Sequence, residues 1–175
     1  MTLRVLLALL VATALLASSI PAMDAAYRTR TDHVLGSNVD RIRETIGQIR
    51  RRSDPVPIGV PGSRHRVHVD VPDRGPNALL RIGHVPGLDR PVDDAESDVI
   101  GVRVGSEDTT VTIVDSDIRV VRNGEVRSED AGLLIREDVT LTMTYATVNG
   151  NSTILLTRGF TSPNPTSIDH VRISP

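Results

Sequence analysis

Two histidines three residues apart, His65 and His68, and the acidic run Asp93, Asp94, Glu96 and Asp98 are the groupings in this chain whose side chains could hold a metal. In an extended segment successive side chains alternate between faces, so positions three apart point opposite ways. His65 and His68 are therefore read as unrelated histidines on a half-buried strand. The acidic run offers carboxylate oxygens to a hard cation but lacks the ligand spacing and turn glycine of a calcium loop, and is read as a solvated loop. Asp115-Ser116-Asp117 reads as a turn between strands. The sequence contains no nucleophile elbow, phosphate loop or zinc-protease helix motif. No catalytic residue, cofactor site or metal ligand is assigned, and a non-enzymatic protein is expected. Asn151-Ser152-Thr153 has the pattern of an N-glycan acceptor, which makes Asn151 the glycosylation candidate; the proline of Asn164-Pro165-Thr166 bars that second triplet.

Composition narrows the chemistry further. The chain has 175 residues and no Cys, which rules out disulfides, thiolate nucleophiles and Cys-ligated metal. Tyr27, Tyr145 and Phe160 are the only aromatic residues, so the chain is poorly equipped for base-stacking platforms and aromatic cages. The core must come from Val, Ile and Leu. All 20 basic residues are Arg, and the net charge is −2. A charge this balanced gives no electrostatic reason to propose nucleic acid as a partner, and no small-molecule substrate is inferred.

The elements that would position any site begin with Leu3–Met23. Arg4 precedes an apolar run that carries no charge until Asp24. A retained membrane anchor needs about 20 apolar residues, and Val5 to Met23 comes close to that length. A cleaved signal peptide needs a shorter apolar stretch followed by small residues, which Ala17-Ser18-Ser19 supply. The anchor is the preferred reading. Arg28, Arg30, Arg41 and Arg43 follow the run and, by count, favour a cytoplasmic C-terminal side; the β-rich region downstream favours export.

The segment ALLASSIPAMDAAYRTRT resembles the N-terminal helix of type IV pilins. In that family an apolar half ends in an Ile-Pro-Ala step, matched here by Ile20-Pro21-Ala22, and a polar half runs on toward a β-sheet head. The resemblance covers about the first 30 residues. Arg4 stands about where bacterial-type pilins carry a Glu, so a processed, polymerising major pilin is not expected. With its Arg-only, Asp-rich composition the chain more closely resembles small membrane-anchored proteins of haloarchaeal pilus-type gene clusters, for which no activity is implied.

Beyond Asp24, Leu35, Val39, Ile42, Ile46 and Ile49 recur at spacings of 4, 3, 4 and 3, the narrow apolar seam of a helix. This stripe is the candidate packing surface, either against a following sheet or against another helix. Gly36-Ser37 is expected to interrupt the helix, with Ser37 as a new cap. Arg50, Arg51 and Arg52 suit the negative end of its dipole, and Ser53-Asp54-Pro55-Val56-Pro57 should stop it. From Arg64 the apolar period changes to two. Strands are expected at 64–71, 78–84, 98–104, 109–114, 118–122, 125–127, 133–136, 139–146, 153–158 and 168–173, with Asn123-Gly124 and Asn149-Gly150 as hairpin turns.

The expected fold is α+β: a membrane helix and an amphipathic helix followed by an antiparallel β-rich sandwich or barrel-like domain. The expected divisions are a membrane anchor or signal at 1–23, an amphipathic helix at 24–52, a Pro-rich linker at 53–63 and a β-rich domain at 64–175. The implied protein is a single-pass, membrane-anchored pilin-like or accessory component of a cell-surface or secretion assembly, with an exported C-terminal domain. Its partners would be the membrane and other membrane or pilus-type proteins, met through helix packing. The alternative is a secreted β-domain binding module released by signal cleavage.

Overall fold

The computed structural model describes residues 2–73, 77–83, 98–106, 108–128, 131–159 and 172–173, without the side chains at 2, 4, 6, 14, 16–19 and 172–173. One helix, α1, runs unbroken from Thr2 to Arg52. The break expected at Gly36-Ser37 does not occur. A helical Gly costs about 1 kcal/mol relative to Ala, but Leu35, Asn38 and Val39 on either side are buried. Burying even one Leu or Val side chain offsets a loss of that size. The helix also continues through Pro21, which has no N–H and so leaves one rung of the hydrogen-bond ladder unmade. Its end comes where expected, with Ser53 N–H donating to the Ile49 carbonyl at 2.9 Å.

The strands after the helix are β1 (Val56–Pro57), β2 (Arg64–Val69), β3 (Ala78–Ile82), β4 (Asp98–Val104), β5 (Thr110–Val114), β6 (Asp117–Arg122), β7 (Glu125–Val126), β8 (Leu133–Ile135), β9 (Val139–Val148), β10 (Asn151–Gly159) and β11 (Arg172–Ile173). They form two sheets. The larger has the order β1-β9-β10-β6-β7-β11, with β2 pairing along β9 beside β1; the smaller has the order β5-β4-β3-β8. The fold is therefore α+β with a β-rich head. The pairing is not purely antiparallel: β10 pairs with β6, β1 with β9, and β11 with β7 in parallel. Alternation of apolar residues is the same in both kinds of ladder, which is why the period-two pattern did not separate them.

Both Asn-Gly turns form. Asn123 and Gly124, and Asn149 and Gly150, all have positive φ, the geometry of a two-residue hairpin loop whose twist matches that of its strands. The second of these turns joins β9 to β10, antiparallel from the Val148–Asn151 pair onward.

The main apolar core takes side chains from α1 and from both sheets. All five stripe residues, Leu35, Val39, Ile42, Ile46 and Ile49, are buried in it, and the helix packs chiefly on β2, β4 and β9. Strand β10 is buried on both faces from Thr153 to Leu156. Ile154 and Leu156 point into the main core, while Leu155 joins Val121, Ala146 and Val148 in a second cluster on the other face. Ile58, from the segment around β1, packs against that cluster.

Candidate functional site

Two features stand apart from the packed head. The first is the N-terminal half of α1. Every described side chain from Leu3 to Ala26 is exposed. The large apolar ones are Leu3, Val5, Leu7, Leu9, Leu10, Val11, Leu15, Ile20 and Met23, ranging from 50% to 80% accessible. At 3.6 residues per turn these positions fall on every side of the helix axis. A helix that is apolar all round belongs in an apolar surrounding rather than in water. The stretch from Leu3 to Met23 measures about 30 Å at 1.5 Å per residue. Among the described residues, no helix is long and apolar enough to cross a membrane.

The second feature is a polar clasp where the helix meets the end of β2. Asn38 lies in the buried stripe, and its side-chain amide donates to the Asp70 carbonyl at 2.7 Å. Arg41 donates to the His68 carbonyl at 3.0 Å and lies 3.7 Å from the Asp70 carboxylate. His68 Nε2 is 3.1 Å from the same carboxylate, and its Nδ1 is 3.4 Å from Thr140 Oγ1. Asp138, just before β9, accepts from the Val71 N–H at 2.6 Å. Among the described residues, His68, Asp70 and Asp138 have donor atoms within 4.8 Å of one another, close enough for a metal. The Arg41 guanidinium already supplies positive charge to Asp70, and the Val71 amide already occupies one oxygen of Asp138. The cluster is accounted for as the means by which the helix is pinned to β2.

The other residues singled out from the sequence are dispersed. His65 faces inward beside Val67 and lies 3.1 Å from Ser63 Oγ, while His68 faces outward, so β2 does not bring the two together. Asp98 is buried and accepts from the Ile118 N–H at 2.7 Å. Asp93, Asp94 and Glu96 lie outside the described residues. In Asp115-Ser116-Asp117 the first two residues make the bend, and Asp117 opens β6 as a buried carboxylate. It is held by Arg119 Nε at 2.9 Å and by the Thr153 hydroxyl at 2.8 Å. Alternation would place Asp117 and Arg119 on one face of a strand, but it could not indicate that this acid is buried.

Arg50 donates to the Asp115 carbonyl and so ties the helix end to the β5–β6 bend. A groove of about 530 Å³ beside it is lined by Asp40, Arg43, Glu44, Arg50, Arg51 and Asp115. Acids and bases are mixed along it, so it presents no single-signed surface to a charged ligand. Asn151 is exposed at the first position of β10.

The class defined by these features is an α+β protein in which one helix both buttresses a two-sheet head and carries a bare apolar extension. The sequence matches the family described as Domain of unknown function (DUF7311) over residues 2–159, and the chain belongs to that family. The matched stretch takes in the apolar half of α1 together with the head as far as the end of β10. No curated protein and no solved structure matches the chain.

Proposed function

We propose that this protein is a membrane-associated, non-enzymatic component of a cell-surface or secretion assembly, pilin-like in layout, with its β-rich head exported. The observation that carries the reading is the contrast between the two halves of α1. The stripe residues Leu35, Val39, Ile42, Ile46 and Ile49 are buried in the head, whereas the large apolar side chains described between Leu3 and Met23 are exposed on every side of the helix. Exposing that much apolar surface to water costs roughly 25 cal/mol per Å², so the segment requires acyl chains or neighbouring helices of the same character.

Two further points support it. The family match includes the apolar segment, so that segment belongs to the unit the family shares. The buried polar groups Asn38, Asp98, Asp117 and Thr153 are engaged in holding strands and helix together, which is a structural use rather than a catalytic one. Arg50 to Arg52 are not expected to touch a membrane surface. About 40 Å of helix separates Arg50 from Met23, and Arg28 and Arg30 lie nearer the apolar run.

The test is fractionation of the full-length chain from its native cells, compared with a double variant, Leu7→Arg and Leu10→Arg, on the exposed apolar surface. The native chain is expected in the membrane fraction at its full-length mass, released by detergent together with other membrane proteins, and the variant is expected to lose that association. Recovery of the native chain as a lone soluble monomer would defeat the reading. A product about 2 kDa lighter in the medium would indicate a secreted module freed by signal cleavage.

A further inference from the structure

Asn151-Ser152-Thr153 is the one triplet in the sequence that fits an N-glycan acceptor without a blocking proline, and the fold treats its three residues unequally. Pairing of β10 with β9 starts at Asn151, whereas pairing with β6 starts at Thr153. Asn151 and Ser152 thus extend past the end of β6, and both are exposed. Asn151 follows the Asn149-Gly150 turn, at the tip of the longest hairpin among the described residues. A bulky, hydrated substituent on its side chain would stand in solvent and displace no core residue.

Thr153 is the opposite case. It is 0% exposed, and its hydroxyl donates to the Asp117 carboxylate at 2.8 Å, which Arg119 also grips. The hydroxyl at this position of the triplet is the part of the motif, besides the asparagine, that an acceptor site must present. In the folded head that hydroxyl is shut between three strands.

Building on the export reading above, we propose that Asn151 is an N-glycosylation site modified before β10 is paired, so that folding closes the site behind the glycan. The donor class is an oligosaccharide linked through its anomeric carbon to a lipid phosphate. The Asn151 amide nitrogen forms a bond to that carbon, the carbon–oxygen bond to the phosphate breaks, and the lipid phosphate leaves as an anion. One amide proton passes to a base of the transferase, and no redox change occurs. Once attached, the sugar covers the β9–β10 tip, and the Thr153 hydroxyl completes its bond to Asp117.

The experiment uses the full chain in two settings. Intact mass is measured on the protein from native cells, alongside digestion of the head by protease added to unbroken cells. The expected result is a digestible head whose mass exceeds that of the sequence by one glycan. The excess should vanish in Asn151→Gln and persist in Thr153→Ser, which retains the hydroxyl. A digestible head at the bare sequence mass overturns the site while leaving the export reading in place. A protected head at the bare mass overturns both. In a translation system supplied with transferase-bearing membranes, modification is expected when membranes are present during synthesis and not when they are added afterwards. Modification of the completed, folded chain would overturn the proposed order of events.

Discussion

Asn38 on the helix and Asp70 after β2 hold each other through both edges of one amide. The Asn38 Nδ2 donates to the Asp70 carbonyl at 2.7 Å, and its Oδ1 accepts from the Asp70 N–H at 3.4 Å. The side chain mimics a strand neighbour and satisfies backbone groups that β9 does not reach, since the β2–β9 ladder ends at Val69. Asn38 is 1% exposed, so removing it leaves these groups short of a partner. Asn38→Ala is expected to cost about 1–3 kcal/mol, read as a lower urea midpoint with unchanged slope. Asn38→Asp should cost more, because it loses the donor and brings a carboxylate toward that of Asp70.

The apolar stripe makes a sharper demand. Ile42 and Ile49 are 0% exposed and belong to the core shared by the helix and both sheets. Ile→Ala at either position leaves a cavity and is expected to cost about 2–5 kcal/mol. Arg43, on the exposed side of the same turn, serves as the control. Arg43→Ala should stay within about 0.5 kcal/mol of the parent. Denaturant titration of the three variants in one buffer would check the contrast, and equal losses at Ile42 and Arg43 would contradict the packing.

Asp117 anchors a buried polar group made of its own carboxylate, Arg119 and Thr153. Arg119 is 14% exposed at its side chain, so truncating the acid removes a charge-assisted contact from a nearly dry setting. Asp117→Ala is expected to destabilise by about 3–5 kcal/mol, whereas replacing Asp117 and Arg119 together with apolar residues should recover much of that loss. A double-mutant cycle on thermal unfolding would measure the coupling. Additive losses would mean that the pair does not act as a unit.

The two hairpin turns give a smaller, local prediction. Gly150 has φ of +87°, a region where a side chain costs roughly 1–2 kcal/mol. No neighbour within 4 Å would obstruct an added Cβ. Gly150→Ala should therefore be destabilising by about that amount through backbone strain alone. Asn149→Gly, at φ of 51°, should be close to neutral. Melting temperatures of the two variants would distinguish strain from loss of packing.

What the sequence revealed and what it concealed divide along physical lines. The stripe from Leu35 to Ile49, the alternation in β2 and the Asn-Gly turns are local, and each is legible from neighbours a few residues away. The parallel alignment of β10 with β6 is not local. Thr153 meets Asp117 across 36 residues, and no period in either strand encodes which partner it will find. Gly36-Ser37 reads as a stop on propensity alone, because propensity is local and takes no account of the burial of Leu35 and Val39. Asn38 carried no warning at all: a single polar residue in a polar-flanked stripe looks the same whether it faces water or a strand end. The clasp of His68, Asp70 and Asp138 depends on a cross-strand register that only the folded sheet supplies.

The two halves of α1 should respond to mutation independently, and this is the most direct test of the division drawn between them. The head is held by contacts that begin at Thr31, the first buried residue along the described helix. Leu7 and Leu10 lie more than twenty residues earlier and are exposed, so they share no core neighbour with Ile42. Distant sites without shared partners contribute additively to stability. In detergent, the Leu7→Arg and Leu10→Arg double variant is expected to match the parent in the denaturation midpoint of the head, while Ile42→Ala shifts it by the cavity cost given above. Membrane association should show the reverse pattern, lost in the arginine variant and retained in Ile42→Ala as long as the head is folded. A lowered head midpoint in the arginine variant would mean that the apolar half leans on the head after all, and the assignment of its surface to an external partner would fail.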